Sequence, residues 1–140
     1  MKINKEVLDI LDQEVLKSMK IDEIPIGAVI IDSNQNIISS GHNTRQSDKN
    51  VLGHAEINAI LAAEKVINDW RLDGYSMVVS LEPCQMCESI IKESRLDKVY
   101  FFLNSNYSNS SNNSFTELKG YEVYKEKYDN YLKIFFHNMR

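Results

Sequence analysis

Cysteine is scarce in this chain, with two in 140 residues, so any metal site must draw on few thiols. Long apolar runs are missing as well, since no stretch approaches the ~20 residues that span a bilayer. No positively charged segment followed by an apolar one opens the chain, so a secretory leader is not expected. With so few cysteines, the expected location is the reducing cytoplasm, with no membrane partner. Basic excess is also lacking: 16 Lys and Arg face 20 Asp and Glu, a net charge of −4. The deficit lies in residues 1–75, with 12 acidic and 8 basic, while residues 76–140 balance at 8 and 8. That balance excludes a generic nucleic-acid coat. There is no repeat and no linker-like stretch. A chain of this length, 43% hydrophobic, can bury one good core and is too short for two, so residues 1–140 are expected to form a single domain.

What is present is His54-Ala55-Glu56, followed by Pro83-Cys84-Gln85-Met86-Cys87. Zinc prefers imidazole and thiolate in a tetrahedron, and a catalytic site keeps three protein ligands and one open position. His54, Cys84 and Cys87 supply three. Glu56 is then a spare carboxylate beside the metal, able to take a proton from water and return it to a substrate. Cys84 and Cys87 are three apart and share one face of a helical first turn. Pro83 suits a helix start, where a missing N–H costs nothing, and residues 87–94 read as the body. His54 and Glu56 differ by two, which would oppose them on a regular helix, so they must sit at the beginning of one, with Gly53 before it. Both pairs therefore come from helix N-termini, whose partial positive charge favours thiolate. A redox dithiol or half of a structural zinc knuckle is the alternative for Cys-x-x-Cys alone. A structural site wants a fourth ligand at short spacing, and neither His42 nor His137 provides it.

Ile3, Val7, Leu11, Val15 and Met19 recur at helical spacing, which predicts an amphipathic helix over 3–19. Residues 24–31 form a nearly all-apolar, β-branched run, as expected of a strand covered on both faces. Residues 32–36 turn the chain and 37–40 return as a hairpin partner. A helix is predicted over 53–67, further buried strands over 75–81 and 99–103, and another strand around 121–125. This order predicts an α/β fold, a mixed five-stranded sheet sandwiched between helices in three α/β/α layers.

Together these segments make the chain resemble the bacterial tRNA-specific adenosine deaminases, within the cytidine-deaminase-like superfamily. Ile24-Pro25-Ile26-Gly27-Ala28-Val29 is similar to that family's first-strand motif, Gly41-His42-Asn43 to its substrate-binding turn, and residues 81–87 to its second zinc motif. Residues 131–140 resemble its last helix, with paired aromatics and a basic end. The resemblance implies that His54, Cys84 and Cys87 bind Zn2+, that Glu56 shuttles protons, and that Asn43 and the backbone of Ala55 hold the base. It also implies that Phe135, Phe136, Lys133 and Arg140 meet the tRNA anticodon loop, and that the protein is a homodimer whose site is completed by the partner subunit. By residue type alone, Asn43 is equally an ordinary turn residue. Phe135 and Phe136, as a residue type, are more often core than base-stacking surface, and Lys133 and Arg140 are also the favourable basic end of a helix.

The chain departs from the family at residues 103–114, where a polar Asn/Ser-rich segment replaces a glycine-containing one with an Arg-Asp pair. A last helix shorter than usual, after the strand around 121–125, is expected. Neither change touches the zinc chemistry, and neutral Asn and Ser can still bond sugar and phosphate. The expected activity is hydrolytic deamination of adenosine to inosine at the wobble position of a tRNA anticodon. A deaminase of free bases or nucleosides, guanine or cytosine type, is the nearer rival; a non-catalytic zinc-binding RNA subunit is the more distant one.

Overall fold

The computed structural model describes residues 2–105 and 114–138. Across them the elements run α1 (Lys5–Lys20), β1 (Gly27–Ile31), β2 (Ile37–His42), α2 (Ala55–Ile67), β3 (Ser76–Leu81), α3 (Gln85–Glu93), β4 (Lys98–Leu103), β5 (Phe115–Glu117) and α4 (Glu122–Asn138). The sheet order is β2-β1-β3-β4-β5. β1 is antiparallel to both neighbours, whereas β3, β4 and β5 are mutually parallel. A parallel step needs a crossover, and α3 provides it between β3 and β4.

Alternation along the strands divides the core into two layers. Ala28, Ile30, Met77 and Val79 face Ala59, Ile60 and Ala63 of α2 and Ile91 of α3. Val29, Ile31, Val78 and Phe102 face Val7, Leu11 and Val15 of α1 and Tyr128 of α4. All five residues of β1 are buried, as its apolar run predicts. Tyr128 bolts α4 to α1: its ring is fully buried against Phe102, and its hydroxyl donates to Asp12, which also pairs with Lys127 at 2.8 Å.

Three boundaries differ from expectation by more than two residues. β1 starts at Gly27, not residue 24, because Ile24-Pro25-Ile26 turns tightly, with the Ile26 N–H on the Ile24 carbonyl at 2.8 Å. The fifth strand is Phe115–Glu117, and residues 121–125 are not a strand: α4 starts at Glu122. Alternating Tyr and Val mimicked a strand there. The deciding pattern is longer: Tyr121, Tyr124, Tyr128 and Tyr131 recur at helical spacing and pack on one core layer. Gly120 (φ 83°) and Tyr121 (φ 57°) reverse the chain into that helix. The last helix is therefore 17 residues long, not a short one starting near residue 131.

Candidate metal centre and active site

The three possible metal donors all sit where a helix begins. His54 (φ −93°, ψ 147°) precedes the first residue of α2, and Cys84 (φ −70°, ψ 172°) that of α3; neither side chain caps its own helix, so both are free to face a common point. Cys87 follows within the first turn of α3 and is fully buried. His54 Nδ1 lies 3.9 Å from Cys84 Sγ and 3.4 Å from Cys87 Sγ. The three donor atoms fall within 4.8 Å of one another. A zinc ion held tetrahedrally would set a nitrogen and a sulfur about 3.6 Å apart, from Zn–N and Zn–S lengths of about 2.05 and 2.3 Å. The observed distances bracket that edge, so the residues fit the metal, which Nδ1 of His54 would face.

The helix N-terminus that carries His54 is fixed from the sheet. Asn43, at the end of β2 and 6% exposed, accepts the Ala55 N–H on Oδ1 at 2.7 Å, satisfying one of the helix's unpaired donors. The Asn43 N–H in turn donates to Ser18 Oγ at 3.0 Å, and that hydroxyl donates to the Ile26 carbonyl at 2.8 Å. Gly41 makes the approach possible: a Cβ there would sit 2.6 Å from the Ala55 carbonyl and 2.6 Å from the Ala59 nitrogen. Asn58, one turn into α2, donates to the His42 carbonyl at 2.8 Å and to Thr44 Oγ1 at 2.9 Å.

Glu56 is 4% exposed, and its Oε1 is buried with no hydrogen-bond partner. A buried carboxylate oxygen without a partner, beside three possible metal donors, makes Glu56 a candidate for proton transfer. Without metal, burial pushes its pKa from 4.5 up to about 7. In the same state the Cys84 thiol falls to about 3, held as thiolate by hydrogen bonds from Cys87 and then His54, while that bond to Cys84 and burial push Cys87 up. His54 is raised through its bond to Cys84.

The Glu56 shift sets a pH dependence. Its carboxyl is preferred protonated in the metal-free folded chain, so its favourable contribution is complete below pH ~4.5 and is lost as pH climbs through about 7. About 3 kcal/mol of metal-free stability should disappear across that window. Urea unfolding of metal-free wild type and Glu56→Gln should show the variant more stable at pH 8, with the gap shrinking towards pH 4.5; a gap constant with pH would contradict the assignment.

A cavity of about 850 Å³ opens at this cluster. His54, Glu56, Cys84 and Asn43 line it, with Ile24 and Ile26 on one wall and Leu132, Phe135, Phe136 and Asn138 of α4 on another. Sequence-expected Phe135 and Phe136 thus reach the site, and Phe136 is 53% exposed. Lys133 does not line the cavity; it is exposed and paired with Asp129 one turn back at 2.8 Å. The Ala55 N–H is already donated to Asn43. Arg140 lies outside the described residues. The sequence reading missed Arg45, Gln46, Glu23 and Glu82, all on the cavity. Their only local signal is adjacency to motif residues.

Comparison with known proteins places this arrangement. The family described as the cytidine and deoxycytidylate deaminase zinc-binding region matches residues 1–103. The tRNA-specific adenosine deaminase of Rickettsia bellii is 43% identical over 94 residues, 64% of this chain and 65% of that protein. Curated relatives of this kind are spanned over about half to two thirds of their length. A structure from work on A-to-I editing by tRNA:A34 deaminases at the wobble position of transfer RNA superposes with a TM-score of 0.69 and 30% identity, over 72% of this chain and 77% of that one. Guanine deaminase from Bacillus subtilis superposes with a TM-score of 0.66 and 29% identity, over 76% and 67%.

Proposed function

Since the chain belongs to the cytidine and deoxycytidylate deaminase family, we propose that it hydrolyses adenosine to inosine at the wobble position of a tRNA anticodon. The observation that carries the chemistry is the buried, unpartnered Oε1 of Glu56 beside the His54, Cys84 and Cys87 donors at the floor of the cavity. The similarity to proteins named as tRNA-specific adenosine deaminases supports the substrate. In this reading His54, Cys84 and Cys87 hold zinc, and residues 1–140 act as one deaminase domain. Zinc, when bound, supplies the Lewis acidity that makes water nucleophilic at neutral pH. Glu56 takes the proton of the water that adds to C6 and passes it to the neighbouring ring nitrogen; it then takes the remaining hydroxyl proton of the adduct and delivers it to the amino group, which leaves as ammonia as the C6 carbonyl forms. Asn43 spends its carbonyl on Ala55, which leaves its NH₂ donors for an acceptor on the base. Phe135 and Phe136 offer aromatic faces to an unstacked nucleotide; a duplex base could not enter, so an unpaired loop base is the substrate.

The protein works in the cytoplasm in this reading, and no helix among the described residues is long and apolar enough to cross a membrane. It is a homodimer whose partner subunit completes the anticodon-loop site. Support comes from Leu61, Val66 and Trp70, which are half or more exposed on and just after α2.

A second reading, deamination of a free purine, is favoured by the charge of the cavity. Asp22, Glu23 and Glu82 line it against one Arg45 among the described residues, and similarity to guanine deaminase agrees. Mass spectrometry of nucleosides after incubation with transcribed tRNA, guanine, adenosine and cytidine separates the two. Inosine formed in tRNA alone is the expected result. Turnover of a free base or nucleoside with none in tRNA would transfer the assignment to the second reading.

A further inference from the structure

Between Asn43 and His54 the chain makes a surface loop, residues 44–53, that closes on itself. The Thr44 N–H donates to the Gly53 carbonyl at 2.8 Å, and Asp48 and Asn50 N–H groups return to the Thr44 and Arg45 carbonyls at 2.8 and 3.0 Å. Gly53 is packed so tightly on this turn that a Cβ would lie 2.7 Å from the Arg45 Cα. Such a loop with joined ends is packed by its own residues and needs an outside contact to fix its orientation. Asn58 holds its root through Thr44 Oγ1. Farther out, Glu23 Oε2 accepts the N–H of Gln46 at 2.9 Å and of Ser47 at 2.8 Å. Glu23 is 3% exposed, and a charge that deeply buried is retained only where it is well bonded.

The two N–H groups it grips belong to Gln46 and Ser47, at and just after Arg45 and Gln46, the two residues of the loop that line the cavity. The far side of the loop faces outward by comparison, with Val51 at 68% and Leu52 at 43% exposure. We infer that Glu23 is a positioning residue: a buried carboxylate latch that holds loop 44–53 so that Arg45 and Gln46 wall the substrate entrance. It lines the cavity as well, but its Oε2 is spent on these two backbone N–H groups. Its effect is on how substrate is received, and only the kinetic part of this inference rests on the deaminase reading above.

The loop carries its own probe, because Arg45 and Lys49 are trypsin sites. In zinc-loaded full-length protein, Glu23→Ala should speed cleavage after Arg45 or Lys49 by about tenfold, and Glu23→Gln, which keeps an acceptor without its charge, by about threefold. On an anticodon stem-loop with adenosine at the wobble position, Glu23→Ala should raise KM by about tenfold with a smaller change in kcat, and Glu23→Gln should restore most of it. A residue that merely stabilised the fold would lower Tm and the active fraction without moving KM. Wild-type cleavage rates and KM in Glu23→Ala would overturn the latch. Should that variant fail to fold, unaltered values in Glu23→Gln and Glu23→Asp would overturn it equally. A wild-type enzyme inactive on the stem-loop would overturn the substrate reading instead, and the proteolysis would still decide the latch.

Discussion

Glu56→Gln is expected to lower turnover by ~10²–10⁴-fold while the variant keeps its fold and its zinc. Gln nearly matches Glu in shape, so the buried slot on α2 stays filled and no cavity opens. What is lost is proton affinity: the amide cannot take a proton from water or hand one to the ring nitrogen and the departing ammonia. The wild-type oxygen is unpartnered, so the substitution breaks no existing bond to Oε1. Loss of activity would then report chemistry rather than damage. Inosine formation under single-turnover conditions, alongside metal content and a thermal melt, is the measurement. Activity within a few-fold of wild type would remove Glu56 from the proton path.

Cys87→Ala should lose the metal, and with it all turnover. Wild type should carry about one zinc per chain, because three protein donors with one open position is the catalytic arrangement. Removing the fully buried Cys87 leaves His54 and Cys84, a pair too few to retain the ion against dilution. Metal analysis after gel filtration decides the matter, and stoichiometric zinc in Cys87→Ala would place the site elsewhere. The pair of variants separates two failures. Glu56→Gln keeps the metal and loses the chemistry, while Cys87→Ala loses both.

The three donors that could hold a metal were legible because their geometry is local. A three-residue step between cysteines and a two-residue step from His54 to Glu56 make sense only at helix starts, and both lie there. Strands β1, β3 and β4 were legible for a similar reason, since runs of Ile, Val and Phe suit a pleated surface covered on both sides. The fifth strand was not. Phe115–Glu117 has three residues and acquires strand geometry only by pairing with β4, whereas the Tyr and Val around 121–125 have good strand propensity, but Tyr121 and Tyr124 are captured by packing on Phe102.

Residue chemistry and short spacing were therefore enough to specify the three donors, the carboxylate beside them and the two helix starts that present them. The long-range contacts belong to tertiary structure: Asn43 on the Ala55 N–H, Ser18 beneath Asn43, Glu23 on the loop that carries Arg45, and α4 closing the cavity with Phe135 and Phe136. Each joins side chains to groups on a different element, 12 residues away for Asn43 and Ala55 and 25 for Ser18 and Asn43. A hydrogen bond across such a separation follows from the sheet order and the close approach at Gly41. Helical or strand periodicity carries no record of it, because periodicity encodes which face of an element is buried and not which partner it meets.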